Sequence, residues 1–199
     1  MEEQVPTERI IDVSSRLFAG LGYDMTTLDL IGDAVGVPAS EVQRSTGGKR
    51  ELYLQVMERL FAEKSARLEG AAERAGSARE ALHRIADAYL DFYTEHPDFL
   101  ALWLHRAASD AADVNDVEDR YLRPLMRVCA RRVRPAVPED LGPYAVLGVV
   151  LWCVNGFLGN GILAPGQGIS RADDPATLRY FRSVLHILID RLLADASET

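Results

Sequence analysis

Residues 10–53 constrain the fold most tightly, because helix starts, stops and turns follow one another there at short intervals. An apolar-periodic run (Ile10, Ile11, Ser14, Leu17, Phe18) reads as one amphipathic helix, opened by Pro6 or Thr7 and closed by Gly20 to Gly22. Thr26 or Thr27 can cap a second helix, with its hydroxyl accepting an orphan backbone N–H. Gly36 supplies a turn at which a positive φ is cheap. Pro38 suits the first turn of a third helix, and Gly47-Gly48 ends it. A longer helix then starts at Lys49-Arg50-Glu51-Leu52-Tyr53. The segment therefore predicts a helix-turn-helix with its supporting helix.

Helical signals continue to the end of the chain, while sustained period-2 alternation and Asn-Gly hairpin turns are nearly absent. A helix over residues 49–74 carries Leu52, Val56 and Leu60 inward, with charge opposite. Gly76-Ser77 breaks it, and Ser77 with Glu80 forms a capping box for a helix over 77–93. His96-Pro97-Asp98 punctuates before a short helix over 99–109, and residues 110–115 form a polar break. A helix over 117–134 is kinked or started at Pro124, and Pro135 and Pro138 end it. Residues 139–163 read as a long apolar helix and 165–173 as a Gly-rich loop. Asp174 caps the last helix, with Pro175 at its first position. The class is all-α, with about nine helices.

Bulk properties exclude several classes. With 199 residues, 48% of them hydrophobic, the chain has enough apolar matter for one sizeable core, or for a small module and a larger helical body. No uninterrupted apolar run reaches the roughly 20 residues of a membrane span. The best, residues 144–163, is interrupted by Gly148, Asn155, Gly156, Gly159, Asn160 and Gly161. Residues 1–9 are acidic and polar, so no secretory signal is expected. Cys129 and Cys153 are far apart and match no metal or redox spacing, which suits buried thiols in a cytoplasmic protein. There is no phosphate-binding Gly loop, no Ser elbow and no metal-spaced His pair, and His83, His96, His105 and His186 are scattered. An enzyme is not expected, and neither a cofactor nor a metal is implied.

The ordered pattern Gly22-Tyr23-x-x-Thr26-Thr27, Gly36-Val37-Pro38 and Lys49-x-x-Leu52-Tyr53 resembles the N-terminal region of TetR-family transcriptional repressors. The resemblance implies a helix-turn-helix DNA-binding domain over residues 1–50 and a helical ligand-binding and dimerisation domain over 51–199. In such a motif the second helix enters the major groove. Its candidate reading residues here are Ser40, Gln43 and Arg44, beside Ala39; Gln can pair with adenine and Arg with guanine. Lys49 matches the family's phosphate-holding lysine, and Thr27 and Tyr53 match positions that orient the module. The reading helix departs from the family at its end. Where an aromatic and a Phe are usual, the chain has Gln43-Arg44-Ser45-Thr46 followed by Gly47-Gly48. A lost buried Phe predicts a weakened module, by about 3–5 kcal/mol if nothing fills its place. Residues 1–60 hold ten acids and six bases, a balance of −4, which opposes strong phosphate binding unless the contacting face is positive.

For the body the resemblance implies a small-molecule chamber. Aromatics cluster where it would lie, and Phe99, Trp103, Tyr121, Trp152 and Asn155 are the candidate ligand-binding residues. Each aromatic also serves as plain core. Asn155, amid Leu151, Trp152, Val154 and Phe157, must find a hydrogen-bond partner. Residues 144–163, apolar nearly all round, and the last helix, with Leu178, Phe181, Leu185, Leu188, Ile189 and Leu192, suit a four-helix bundle across a two-fold axis. Arg120, Arg123, Arg127, Arg131 and Arg134 share one helix face, either solvated, docking an acidic partner, or balanced by Asp110, Asp113, Asp116, Glu118 and Asp119. The expected function is a ligand-responsive homodimeric regulator, a repressor that leaves its double-stranded DNA operator when a small-molecule effector binds, in the cytoplasm and away from membranes. The alternative is a dimeric small-molecule or protein-binding module that has lost operator binding.

Overall fold

A computed structural model describes residues 5–164 and 168–194. Its described residues form nine α-helices: α1 (Thr7–Leu21), α2 (Leu28–Val35), α3 (Ala39–Thr46), α4 (Lys49–Glu73), α5 (Ala78–Glu95), α6 (Pro97–Ala107), α7 (Arg123–Val133), α8 (Pro143–Asn160) and α9 (Pro175–Leu192). The all-α expectation holds, with two differences. A two-stranded antiparallel hairpin, β1 (Ile162–Ala164) with β2 (Gly168–Ser170), lies where a helix end and a loop were expected. Strands of three residues are too short to show an alternation in sequence. Residues 165–167 of that loop, like residues 1–4 of the expected polar start, lie outside the described residues. The second difference is the segment expected as one helix over 117–134. It starts as a π-helical turn, Glu118–Leu122, and becomes α-helical at Arg123, one residue before Pro124, whose missing N–H suits a first turn.

The chain divides into two compact units: Met1–Glu63 with His96–Leu122, and Lys64–Glu95 with Arg123–Thr199. In the first unit α1 packs on α2, α3 and α6. Its core is an aromatic triad, in which Phe18 and Tyr53 meet edge-on at 5.3 Å and Tyr23 and Tyr53 at 5.0 Å, surrounded by Ile10, Ile31, Val42 and Leu52. Thr27 caps α2 by accepting from the Leu30 N–H at 3.2 Å, as its sequence position predicts. The turn into α3 depends on two glycines. Gly36 is left-handed at φ 83°, and a Cβ on Gly32 would lie 2.5 Å from the Val37 carbonyl oxygen.

In the second unit α5 packs against α7, α8 and α9. Asp174 caps α9 through the Ala176 and Thr177 amides, with Pro175 at the first helical position. Ser77 accepts from the Glu80 N–H, while Glu80 reaches back to the Gly76 N–H, one residue beyond a standard capping box. An ionic ladder ties α5 to α9. Asp190 meets Arg79 and His83, Asp87 meets Arg182 and His186, and Asp91 meets Arg182. This unit keeps several large apolar groups in solvent: Tyr144 and Trp152 on α8, Leu163 and Ile169 on the hairpin, Tyr180 and Ile187 on α9.

Candidate nucleic-acid interface and interior polar site

Helix α3, the candidate reading helix, ends in hydrogen bonds where the aromatic anchor was expected. Thr46 is 4% exposed; its hydroxyl donates to the Val42 carbonyl at 2.8 Å and accepts from the Gly48 N–H at 3.4 Å. Gln55 on α4 donates to the Thr46 carbonyl at 2.9 Å, and Gly47 closes the helix in the left-handed region at φ 87°. Hydrogen bonds thus stand at the helix end where an aromatic anchor was expected, and the aromatic side chains of the unit, Phe18, Tyr23 and Tyr53, cluster with one another. Ser40, Gln43 and Arg44 are exposed on α3. The Gln43 amide donates to the Gly47 carbonyl at 3.1 Å, and Arg44 pairs with Glu41 at 3.3 Å. Both candidate reading side chains are thus engaged within the chain. Lys49 stands at the start of α4, where its Nζ donates to the Asp24 carbonyl at 3.2 Å and sits 4.3 Å from the centre of the Tyr23 ring. It therefore reaches the α1–α2 turn, just before Thr27.

The segment after α6 reaches the same turn. The Asp110 carboxylate accepts from the Tyr23 N–H at 2.7 Å and the Asp24 N–H at 2.9 Å. Its neighbours Ser109 and Ala111 are left-handed, at φ 72° and 55°, which costs about 1 kcal/mol or more each for non-Gly residues. Arg106, whose side chain is 10% exposed, compensates this strain. It forms a two-point pair with Glu118 and donates to the carbonyls of Ala111 and Val114. The bond to Glu118 raises Arg106 and lowers Glu118 from their ordinary values. Arg50 also meets Asp116 at 3.2 Å. Asp110, Asp116 and Glu118 are thus spent inside the first unit rather than balancing the arginine stripe. Sequence reasoning missed the roles of Arg106 and Asp110, since a side chain gripping a distant backbone leaves no local pattern.

The ligand candidates fall into two groups. Phe99, Trp103 and Tyr121 gather around Phe61 in the first unit, with ring centres at 5.2, 5.6 and 5.3 Å, Tyr121 stacked and the others edge-on. Asn155, in the second unit, has the partner it requires: the Tyr89 hydroxyl donates to its Oδ1 at 3.1 Å. Trp152 is 73% exposed on the apolar face of α8. Behind Tyr89 lies a group the sequence reading passed over. Lys64 is 1% exposed, and its Nζ donates to the Tyr93 hydroxyl at 3.3 Å. Burial lowers this ammonium to about 7. Burial also pushes Tyr89 up to about 12, Tyr93 well above the usual phenol range, and the neighbouring Cys129 thiol up to about 12. The signal was present on α4: Met57, Phe61, Lys64 and Leu68 fall at helical spacing on its buried side.

A helix-turn-helix braced by α1 and followed by a helical body is the fold of TetR-family regulators. No protein-family model matches the chain, and no curated protein matches it by sequence. Solved structures match over nearly its full length. It is similar to the fatty acid degradation regulator FadR from Bacillus halodurans, at 14% identity and a TM-score of 0.67 over 95% of this chain and 96% of that one. The TetR family transcriptional regulator PfmR from Thermus thermophilus is 22% identical, with a TM-score of 0.58 over 94% and 100%. Superantigen PfiT is 14% identical, with a TM-score of 0.69 over 96% and 98%. Likeness at these identities establishes the fold; the function is argued from the site.

Proposed function

We propose that the chain is a ligand-responsive homodimeric DNA-binding transcriptional regulator, a cytoplasmic repressor released from its operator by a small molecule. The observation that carries this reading is α3: the second helix of the motif, closed by Gly47 and hydrogen-bonded at its end, which exposes Ser40, Gln43 and Arg44, with Lys49 and Thr27 beside the α1–α2 turn. In this reading residues 1–50 are the reading head and residues 51–199 the effector-binding and dimerising body. Tyr144, Trp152, Tyr180 and Ile187 support a dimer built from α8 and α9, because a large exposed apolar face calls for a partner. α8 is also long and apolar enough to cross a membrane by length and composition. The exposed apolar side chains that α9 carries as well favour a second copy of the chain. Two heads carried by a dimer would meet successive major grooves. Release follows if the effector favours a state in which the Asp110 contact repositions the α1–α2 turn, since only differential affinity drives such a shift.

The second reading, a dimeric binding module without operator binding, draws on the −4 balance of residues 1–60 and on the Glu41–Arg44 pair that neutralises the reading face. Selection of bound duplexes from a random pool separates the two. The regulator reading expects a two-fold-related site enriched by the wild type. Arg44→Ala should relax one base position, and Lys49→Ala should weaken all sites alike, each by about tenfold. A pool that shows no enrichment with folded protein would favour the second reading.

A further inference from the structure

Helix α7 carries a one-sided charge. Between Arg123 and Val133 it has four arginines and no acid, and Arg134 follows in a 3-10 turn. Arg132 is spent within the unit, where its guanidinium donates to the Ala72 and Ala75 carbonyls as α4 ends. Arg127, Arg131 and Arg134 are exposed, and among the described residues none of these three has a hydrogen bond or an ion pair. Their spacing of four and three residues sets them on one side of the helix, about 5–6 Å apart at Cβ. On α5, by contrast, each arginine has a carboxylate: Arg79 meets Asp190, and Arg84 meets Glu80 one turn away. The carbonyl end of a helix favours cations in its last turn, which accounts for Arg131 and Arg134 but not for Arg127, in the middle of α7.

We propose that Arg127, Arg131 and Arg134 form a docking surface for an acidic helix of a partner protein. A guanidinium is a planar fork that takes a carboxylate at two points and is less strongly hydrated than an ammonium, so three in a row suit carboxylates held at a matching pitch. A helix with Glu or Asp at spacings of four and three presents them at that pitch. The charge around the stripe favours a short acidic segment over a longer polyanion. Outside the five arginines of residues 123–134, the second unit has nine bases against thirteen acids, and the whole chain carries −8. A nucleic acid or an anionic membrane would extend past the stripe onto this acidic surround, whereas two turns of a partner helix end with it. Each exposed ion pair contributes little alone, so docking depends on all three being engaged together. Docking on α7 needs nothing from α3 and holds whether or not the first unit binds DNA.

Anisotropy of the full chain with a labelled, Ala-rich helical peptide tests this. The peptide carries Glu at spacings of four and three along one face, and a second peptide has Gln at the same places. At about 50 mM salt the Glu peptide should bind about tenfold or more tightly than the Gln peptide, and most of that advantage should vanish at about 200 mM. Arg127→Gln, Arg131→Gln and Arg134→Gln combined should remove the preference, with unchanged circular dichroism, since all three side chains are exposed. Arg127→Glu with Arg131→Glu should instead prefer a Lys counterpart of the peptide. Equal binding of the Glu and Gln peptides by the wild type, or a Glu preference that survives in the triple variant, would overturn the inference. So would a random duplex or phosphatidylserine vesicles held more tightly than the Glu peptide through the same three arginines; the stripe would then belong to a nucleic acid or a membrane.

Discussion

Arg106 in the first unit and Lys64 in the second are both cations withdrawn from solvent, and the protein treats them in opposite ways. Arg106 has a carboxylate, Glu118, and two carbonyls, so its charge is fixed and its value rises. Lys64 donates to the Tyr93 hydroxyl, and burial brings its value down to about 7. Arg106 has its counter-ion within the same unit and ties down a strained segment whose Asp110 holds the α1–α2 turn. Lys64, whose charged form is disfavoured by burial, weakens the fold below neutral pH instead.

The largest effect expected from this contrast is on stability. Lys64 titrates at about 7 in the folded protein, against about 10.5 unfolded. Between these values the unfolded chain binds more protons, so stability rises as pH climbs from about 7 towards 10 and is lowest below 7. Lys64→Met should therefore stabilise the protein most at about pH 6, by up to roughly 5 kcal/mol, and should flatten this pH dependence. Urea unfolding at about pH 6 and 9 measures both; a variant less stable at both pH values would break the contrast.

Arg106→Met should act in the opposite direction, costing about 2–3 kcal/mol by stranding Glu118 and two carbonyls. Glu118 is lowered in the fold, so the stability it contributes is present above the unfolded glutamate value and lost only as pH falls below about 4. Between about pH 6 and 9 the loss should be constant, and a loss that varied across that range would show Arg106 to be a titrating group like Lys64. The smallest effect sharpens the role of the segment after α6. Asp110→Asn keeps an acceptor but loses the charge, and should cost about 1 kcal/mol. It should also weaken operator binding severalfold although Asp110 is not placed on the reading face. Unchanged DNA affinity would confine Asp110 to a structural role.

The helix-turn-helix was legible in the sequence because its determinants are local. Thr27, Gly36, Pro38 and Gly47 each act within a few residues of their own position, and Asp174-Pro175 marks the last helix in the same way. What escaped depends on distant partners. The loss of Phe at the end of α3 reads as a defect until Gln55, nine residues on, is seen to hold the Thr46 carbonyl. The grip of Asp110 on Tyr23 and Asp24 spans most of the first unit's sequence. Lys64 was visible on its stripe, but a lysine among apolar positions is usually read as reaching solvent, and only its burial shows otherwise.

DNA binding by the proposed reading head is tested most directly by anisotropy of purified protein on the duplex upstream of its own gene, at about 50 and 200 mM salt. The expected result is saturable binding in preference to a random duplex, weakening with salt on a slope set by the few phosphate contacts an acidic head can make. Binding no tighter than to the random duplex at either salt, by protein shown to be folded and dimeric, would contradict it.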